Sequence, residues 1–262
     1  MAAPEPSNRL PPDLILIEKV TDYVKQYMSQ YDASHDFDHV LRVLGLTRRI
    51  ASSPPSPSSD PSSDPSPDSA QGQAQAPQLQ SSPPYNPLLL TLSALLHDVG
   101  DKKYLQANAN ENPETMVYDL LTSFGAPHTL SETVQKIVSN VSFSAETQSA
   151  ESRERVRRLV AEVPELGVVQ DADRLDAIGA VGIGRAFTFG GAMGGKEKEK
   201  EKANGKGRGM QETIQHFVDK LEALEALMKT DEGRRLAVER TRRLRLFREW
   251  WGEEIGVDLG IQ

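Results

Sequence analysis

The stretch "SALLHDVGDKKY", residues 93–104, carries an apolar helical run into His97-Asp98 and then, past a glycine, into Asp101-Lys102-Lys103. A carboxylate next to an imidazole in an apolar wall costs free energy unless both are satisfied, and a metal ion satisfies both at once. Two further stretches hold residues of the same kind. In "SHDFDHVLRVLGL" His39 lies one helical turn before Arg42 and Val43, with His35 just upstream. In "VQDADRLDAIGAVGIGRAF" Asp171, Asp173 and Asp176 crowd around Arg174. The chain has five histidines and no cysteine. Disulfides, thiolate nucleophiles, Cys-ligated zinc and iron–sulfur clusters are therefore excluded, and any metal must be held by His, Asp, Glu or water. Two imidazoles and two carboxylates from three separate helices would make a nitrogen–oxygen site suited to Mn, Fe, Co, Zn or Mg. Spacing leaves open whether they converge.

The elements that must position these residues are helical by period. Ile17, Val20, Val24, Tyr27 and Tyr31 recur every three to four residues, as do Leu130, Val134, Ile137 and Val141. The same holds for Ile214, Phe217, Leu221, Leu224 and Met228, and for Leu244, Phe247 and Trp251. Asn112-Pro113 predicts a helix start that Gly125 closes, Thr129 with Glu132 has the spacing of a capping box, and Asp36 is a candidate N-cap. No sustained period-two alternation is flanked by hairpin turns. The expected class is all-α, a bundle whose facing helices build the metal site.

Two tracts interrupt this pattern. Residues 51–86, rich in Ser, Pro and Gln, cannot bury enough apolar surface to offset their ordering entropy and are expected to be disordered. Residues 190–210, "GGAMGGKEKEKEKANGKGRGM", read as a flexible Gly/Lys/Glu-rich excursion. Closing a loop costs only roughly 0.6 kcal/mol per doubling of length, so a single domain over 1–262 can absorb both. The hydrophobic share of 37% fits that dilution, being below the usual range of roughly 45–50%. A net charge of −8 argues against a protein that wraps nucleic acid. No run of eighteen apolar residues predicts a membrane span, and "MAAPEPSNRL" lacks the basic start and apolar core of a secretory signal. The expected location is intracellular, in the cytoplasm, with the nucleus as the alternative.

The order His … His-Asp … Asp resembles the HD-domain superfamily of metal-dependent phosphohydrolases. "HDFDHVLRV", "LLHDVGDKKY" and "QDADRLDAIGAVGIGR", together with "HFVDKLEALEALMKTDEGRRLAVERT", resemble its small stand-alone bacterial-type branch. The resemblance covers nearly all of the chain outside the two tracts. It implies one HD-type helical bundle with His39, His97, Asp98 and Asp173 as metal ligands, Asp171 being the alternative to Asp173. It further implies hydrolysis of a phosphate ester or anhydride of a small metabolite, a nucleotide, with Mn, Co, Mg, Zn or Fe as the divalent ion. Such an ion lowers the pKa of bound water to about 7, and Asp101 would orient that water or take its proton. His35, Arg42, Lys102, Lys103 and Arg174 would face the substrate and neutralise charge on phosphoryl oxygens. The implied partner is a small phosphorylated molecule, with neither membrane nor nucleic acid. The rival readings are an iron-dependent oxygenase of the same superfamily, which would recruit further histidines, and a metal-holding module without turnover.

Other residues carry weaker signals. Asp176 is a candidate outer partner for Arg174 and the histidines. Asn140, Ser142 and Ser144 either line a pocket or end a helix, and His128 and His216 read as structural or exposed. The glycines of "GAVGIGRAF" follow a helical pattern and not a strand, so they read as close helix packing and not as a dinucleotide loop, with Arg185 still able to reach phosphate. The Arg-rich "GRRLAVERTRRLRLFREW", interleaved with Glu239 and Glu249, reads as one amphipathic helix with a charged outer face.

Overall fold

The computed structural model describes residues 10–29, 36–54, 85–100, 112–200 and 209–256. Among them there are helices and turns and no strand. The first helix, α1 (Pro12–Met28), has proline in its first turn, where a missing N–H costs nothing, and buries Leu16, Val20, Val24 and Met28 along one stripe. Helix α2 (Phe37–Ser52) starts where the Asp36 side chain accepts from the His39 N–H at 3.0 Å. Helix α3 (Pro87–Leu96), "PLLLTLSALL", is buried at every position from Leu89 onward. A helix apolar all round belongs at the centre of a bundle. Accordingly α3 packs against both α1 and α2, and it also meets α5 (His128–Val138) and α8 (Glu165–Asp176). Asn86 caps it by accepting from the N–H groups of Leu88 and Leu89, and its own N–H donates to Glu165 at 2.8 Å.

Helix α4 (Met116–Ser123) pairs with α5, and α6 (Phe143–Thr147) with α7 (Ala150–Glu162). The expected start at Asn112-Pro113 is a turn, with α4 beginning at Met116, while Gly125 closes the helix at φ +89°. The Thr129–Glu132 capping box does not form. Helix α5 begins two residues earlier than such a box requires, at His128 behind Pro127, so Thr129 is already inside the helix. Helix α9 (Gly179–Lys200) extends the described helix through half of the tract expected to be a flexible excursion, in keeping with the helical preference of Lys and Glu. After α10 (Met210–His216) the run that reads as one helix changes winding, to a π turn over Phe217–Leu221 and a 3₁₀ turn over Glu222–Leu227. Loosened and tightened turns in succession still bury Phe217, Leu221 and Leu224. Helix α11 (Asp231–Ile255) then packs on α8 and α9. Of the 51–86 tract, residues 55–84 lie outside the described residues, and so does Tyr31.

This arrangement brings three helix ends together. The start of α2 carries His39, the end of α3 carries His97-Asp98, and the end of α8 carries Asp173 and Asp176. Gly100 closes the turn after α3 at φ +82°, a conformation that suits glycine. The glycines in the first turns of α9 divide by role. Gly179 takes φ +76°, buried Gly182 lies where a Cβ would run into the Ala177 carbonyl, and Gly184 faces open space. Backbone conformation thus explains Gly179 and close packing explains Gly182, and neither applies to Gly184. Gly184→Ala should stabilise the protein by up to about 1 kcal/mol through helix propensity, whereas Gly182→Ala should destabilise it, as read by urea unfolding midpoints.

Candidate metal centre

His39 and His97 are almost fully buried, with ring centroids 5.0 Å apart and planes at 73°. Their Nε2 atoms are 3.1 Å from each other. Asp98 Oδ2 lies 3.3 Å from His39 Nε2 and 3.4 Å from His97 Nε2. Asp173 Oδ1 follows at 3.6 and 3.8 Å, on the more open side. The second nitrogen of each ring is already engaged. His97 Nδ1 meets the Ala94 carbonyl at 2.9 Å, and a carbonyl can only accept, so that nitrogen carries the hydrogen. His39 Nδ1 meets the Asp176 carboxylate at 2.7 Å, which fixes the same tautomer. Both Nε2 lone pairs therefore point at one spot together with a carboxylate oxygen.

Acceptors facing acceptors at this range repel unless a positive charge lies between them. Ligands about 2.0–2.1 Å from one ion, at angles between octahedral and tetrahedral, lie about 2.8–3.4 Å apart. The separations among His39, His97 and Asp98 fall in that range, so the residues fit a divalent cation. Among the described residues these three form the group able to hold a metal ion.

Asp176 is where the surroundings of His39 converge. Its Oδ1 accepts from Arg42 Nε at 2.8 Å, and its Oδ2 accepts from Arg42 Nη2 at 3.1 Å and from Arg185 Nη1 at 3.0 Å as well as from His39. Burial alone would raise the Asp176 carboxyl, but the bonds from His39 and Arg42 outweigh it and hold it well below the usual carboxylate range. For His39 burial pulls the imidazole down, yet Asp176 and Asp98 prevail and push it up to about 9. A raised His39 favours the protonated ring near neutral pH, so a cation binding there would compete with a proton.

Two expectations are corrected. Arg174 does not face the cluster: it is buried on another side of α8, donating to Glu146 Oε2 at 2.6 Å and to the Leu227 carbonyl at 2.8 Å. Asp171, the alternative ligand, is also turned away, accepting from the N–H groups of Lys229 and Thr230 and from the Thr230 hydroxyl. An acid two residues before Asp173 lies on a different face of a 3.6-residue helix. Arg42 is at the cluster, but its guanidinium is bonded to Asp176. His35, Asp101, Lys102 and Lys103 lie outside the described residues.

Asn140 bonds back to the Lys136 carbonyl and Ser142 caps α6, which is the helix-end reading. His128 pairs with the Tyr118 hydroxyl at 2.7 Å on an exposed face. Two contributors escaped the sequence: Glu146, an acid in a five-residue helix with no periodic signal, and Tyr27, whose hydroxyl accepts from the Gly100 N–H at 3.3 Å behind the His97-Asp98 turn. Tyr27 was visible only as a stripe residue of α1.

The HD domain family model matches residues 36–178, which include all four clustered residues. The chain belongs to the HD domain family. It is 37% identical over 161 residues to the uncharacterized protein YpgQ of Bacillus subtilis (strain 168), a match spanning 58% of this chain and 65% of that protein. A crystal structure of Bacillus subtilis YpgQ in complex with ADP superposes with a TM-score of 0.59 at 25% identity, covering 96% of this chain and 99% of that one. Another crystal structure of YpgQ gives a TM-score of 0.61 at 27% identity over 94% and 100%. An HD-superfamily hydrolase from Bacillus thuringiensis, 24% identical with a TM-score of 0.59 over 94% and 100%, shares the fold. Among the described residues no helix is long and apolar enough to cross a membrane.

The shifted His39 makes the HD centre pH-dependent with a definite sign. A raised pKa means that its contribution to the metal-free protein is complete below pH 6.5, the ordinary histidine value, and is lost as pH rises through about 9. A cation held there would bind more tightly over the same interval because it needs that nitrogen unprotonated. In EDTA the melting temperature should fall between pH 6.5 and about 9, and saturating Mn²⁺ should abolish the fall.

Proposed function

We propose that this HD domain is a metal-dependent phosphohydrolase that cleaves a phosphate ester or anhydride of a small phosphorylated metabolite, a nucleotide. The observation that carries the reading is the convergence of His39 Nε2, His97 Nε2 and Asp98 Oδ2 within 3.1–3.4 Å, with both Nδ1 atoms committed as donors elsewhere. A fourth oxygen, Asp173 Oδ1, stands beside them. The nucleotide part is supported by the ADP-bound relative, which aligns over 96% of this chain.

In this reading His39, His97, Asp98 and Asp173 hold a divalent cation, of the kind HD domains bind. A bound divalent cation supplies Lewis acidity and lowers the pKa of water to about 7. Asp176 keeps the Nδ1 proton on His39 and so keeps its Nε2 a lone-pair donor. Asp101, three residues past Asp98, orients the attacking water and takes its proton. Arg42, partly exposed beside the cluster, would neutralise charge that builds on phosphoryl oxygens, and the sequence assigns the same role to His35, Lys102 and Lys103. The oxygenase reading would need further histidines near the first cluster. His128 is instead paired with Tyr118, which supports the hydrolase.

A panel of nucleoside mono-, di- and triphosphates with Mn²⁺, Co²⁺, Mg²⁺ or Zn²⁺, with phosphate and pyrophosphate resolved, tests the proposal. At least one pair should turn over, and His97→Ala or Asp98→Ala should lower the rate at least about 100-fold. Full activity in either variant would overturn the site assignment.

A further inference from the structure

The segment matched by the HD family ends at residue 178, but one group bonded to the centre comes from beyond it. Arg185, in the second turn of α9, reaches back to Asp176 Oδ2 at 3.0 Å, onto the same oxygen that receives His39 Nδ1. Arg42 holds that carboxylate too, but it stands one turn after His39 on α2. The fork of Arg42 on both oxygens and the His39 contact on Oδ2 tie Asp176 on α8 to α2 alone. Among the donors described for Asp176, Arg185 is the one from a third helix. It is also better shielded, its side chain 15% exposed against 36% for Arg42, so solvent screens its hold less.

Arg185 is itself held in place. Two residues on, Phe187 packs edge-on against Phe217 and Phe247, at ring distances of 6.2 and 6.0 Å, and against Trp251 at 5.8 Å. On the other side α9 begins where Gly179 lies against Arg240, whose Nη1 donates to the Leu175 carbonyl at the end of α8. The guanidinium is therefore delivered to Asp176 from a helix fixed at both sides of it. Its Nη1 places a charge-assisted bond on Oδ2, the oxygen that also meets His39.

We propose that Arg185 is a positioning residue of the metal centre, acting through Asp176 to aim the His39 ring, so that the centre is complete only with α9 in place. The inference rests on the reading of the His39–His97–Asp98 cluster as a metal site, and its test needs no turnover. Mn²⁺ affinity of the full chain, measured by calorimetry without substrate, should weaken about tenfold in Arg185→Gln, the low end of the loss for an outer partner of a ligating histidine, because Arg185 acts one contact further out, through Asp176. In Arg185→Lys, which keeps the charge but not the planar, directed guanidinium N–H, it should weaken about threefold. Arg235→Gln, which removes a surface pair with Glu232, should leave it unchanged. Wild-type Mn²⁺ affinity in a folded Arg185→Gln protein overturns the proposal. If that variant gives no cooperative melt, wild-type affinity in Arg185→Lys overturns it equally. Failure of the wild-type chain to bind Mn²⁺ would overturn the metal reading itself, and Mn²⁺ binding without nucleotide hydrolysis would overturn only the proposed reaction.

Discussion

The carboxylate of Asp176 receives a ring N–H and a guanidinium from α2 and a second guanidinium from α9. Its ionised state and fixed direction settle which nitrogen of His39 keeps its hydrogen, and with it what the facing nitrogen can bind. A buried carboxylate is costly, and here the cost is met by donors that the rest of the fold has to deliver from separate helices. The glycine break between α8 and α9 and the end-on meeting of α2, α3 and α8 all serve that delivery. The aromatic packing around Phe187 completes it from the side of α9.

Helix α8 has polar groups on more than one side, and each does different work. Asp173 and Asp176, three residues apart, face the histidines. Asp171 and Arg174, also three apart, face the connection into α11 and α6. There Lys229 Nζ and Arg174 Nη2 both reach Glu146, each at 2.6 Å. Burial alone would raise Glu146, but these bonds outweigh it and keep the carboxyl below its ordinary range. The rotation of α8 about its axis is thereby set from behind. Removing one member of such a network leaves the others buried and unbalanced, which is far more disruptive than losing a surface pair.

Much of this was legible in the sequence because helical periodicity is a local property. The all-α class and the main helices followed from three-to-four spacing, and the family resemblance placed His39, His97, Asp98 and Asp173 in the right order. What the order could not show is direction. Asp171, Asp173 and Arg174 are near neighbours along the chain, and only the roll of α8 in the bundle separates a residue at the cluster from an anchor beneath it. Glu146 and Lys229 were not legible because their signal is each other, across 83 positions of sequence. The change of winding after His216 was hidden for a related reason, since π and 3₁₀ turns can present the same apolar stripe as an α-helix.

Helices α2 and α3 run in opposite senses, since the start of one and the end of the other carry the histidines that meet. Thirteen residues separate His39 from Ser52, about 20 Å along the axis, and α3 begins about 15 Å before its own histidine. Ser52 and Pro87 thus mark the pole of the bundle remote from the chemistry, and the long Ser/Pro/Gln-rich tract joins the chain at that pole. A connection at that pole can change in length or composition while the three helix ends that bring His39, His97 and Asp173 together keep their places.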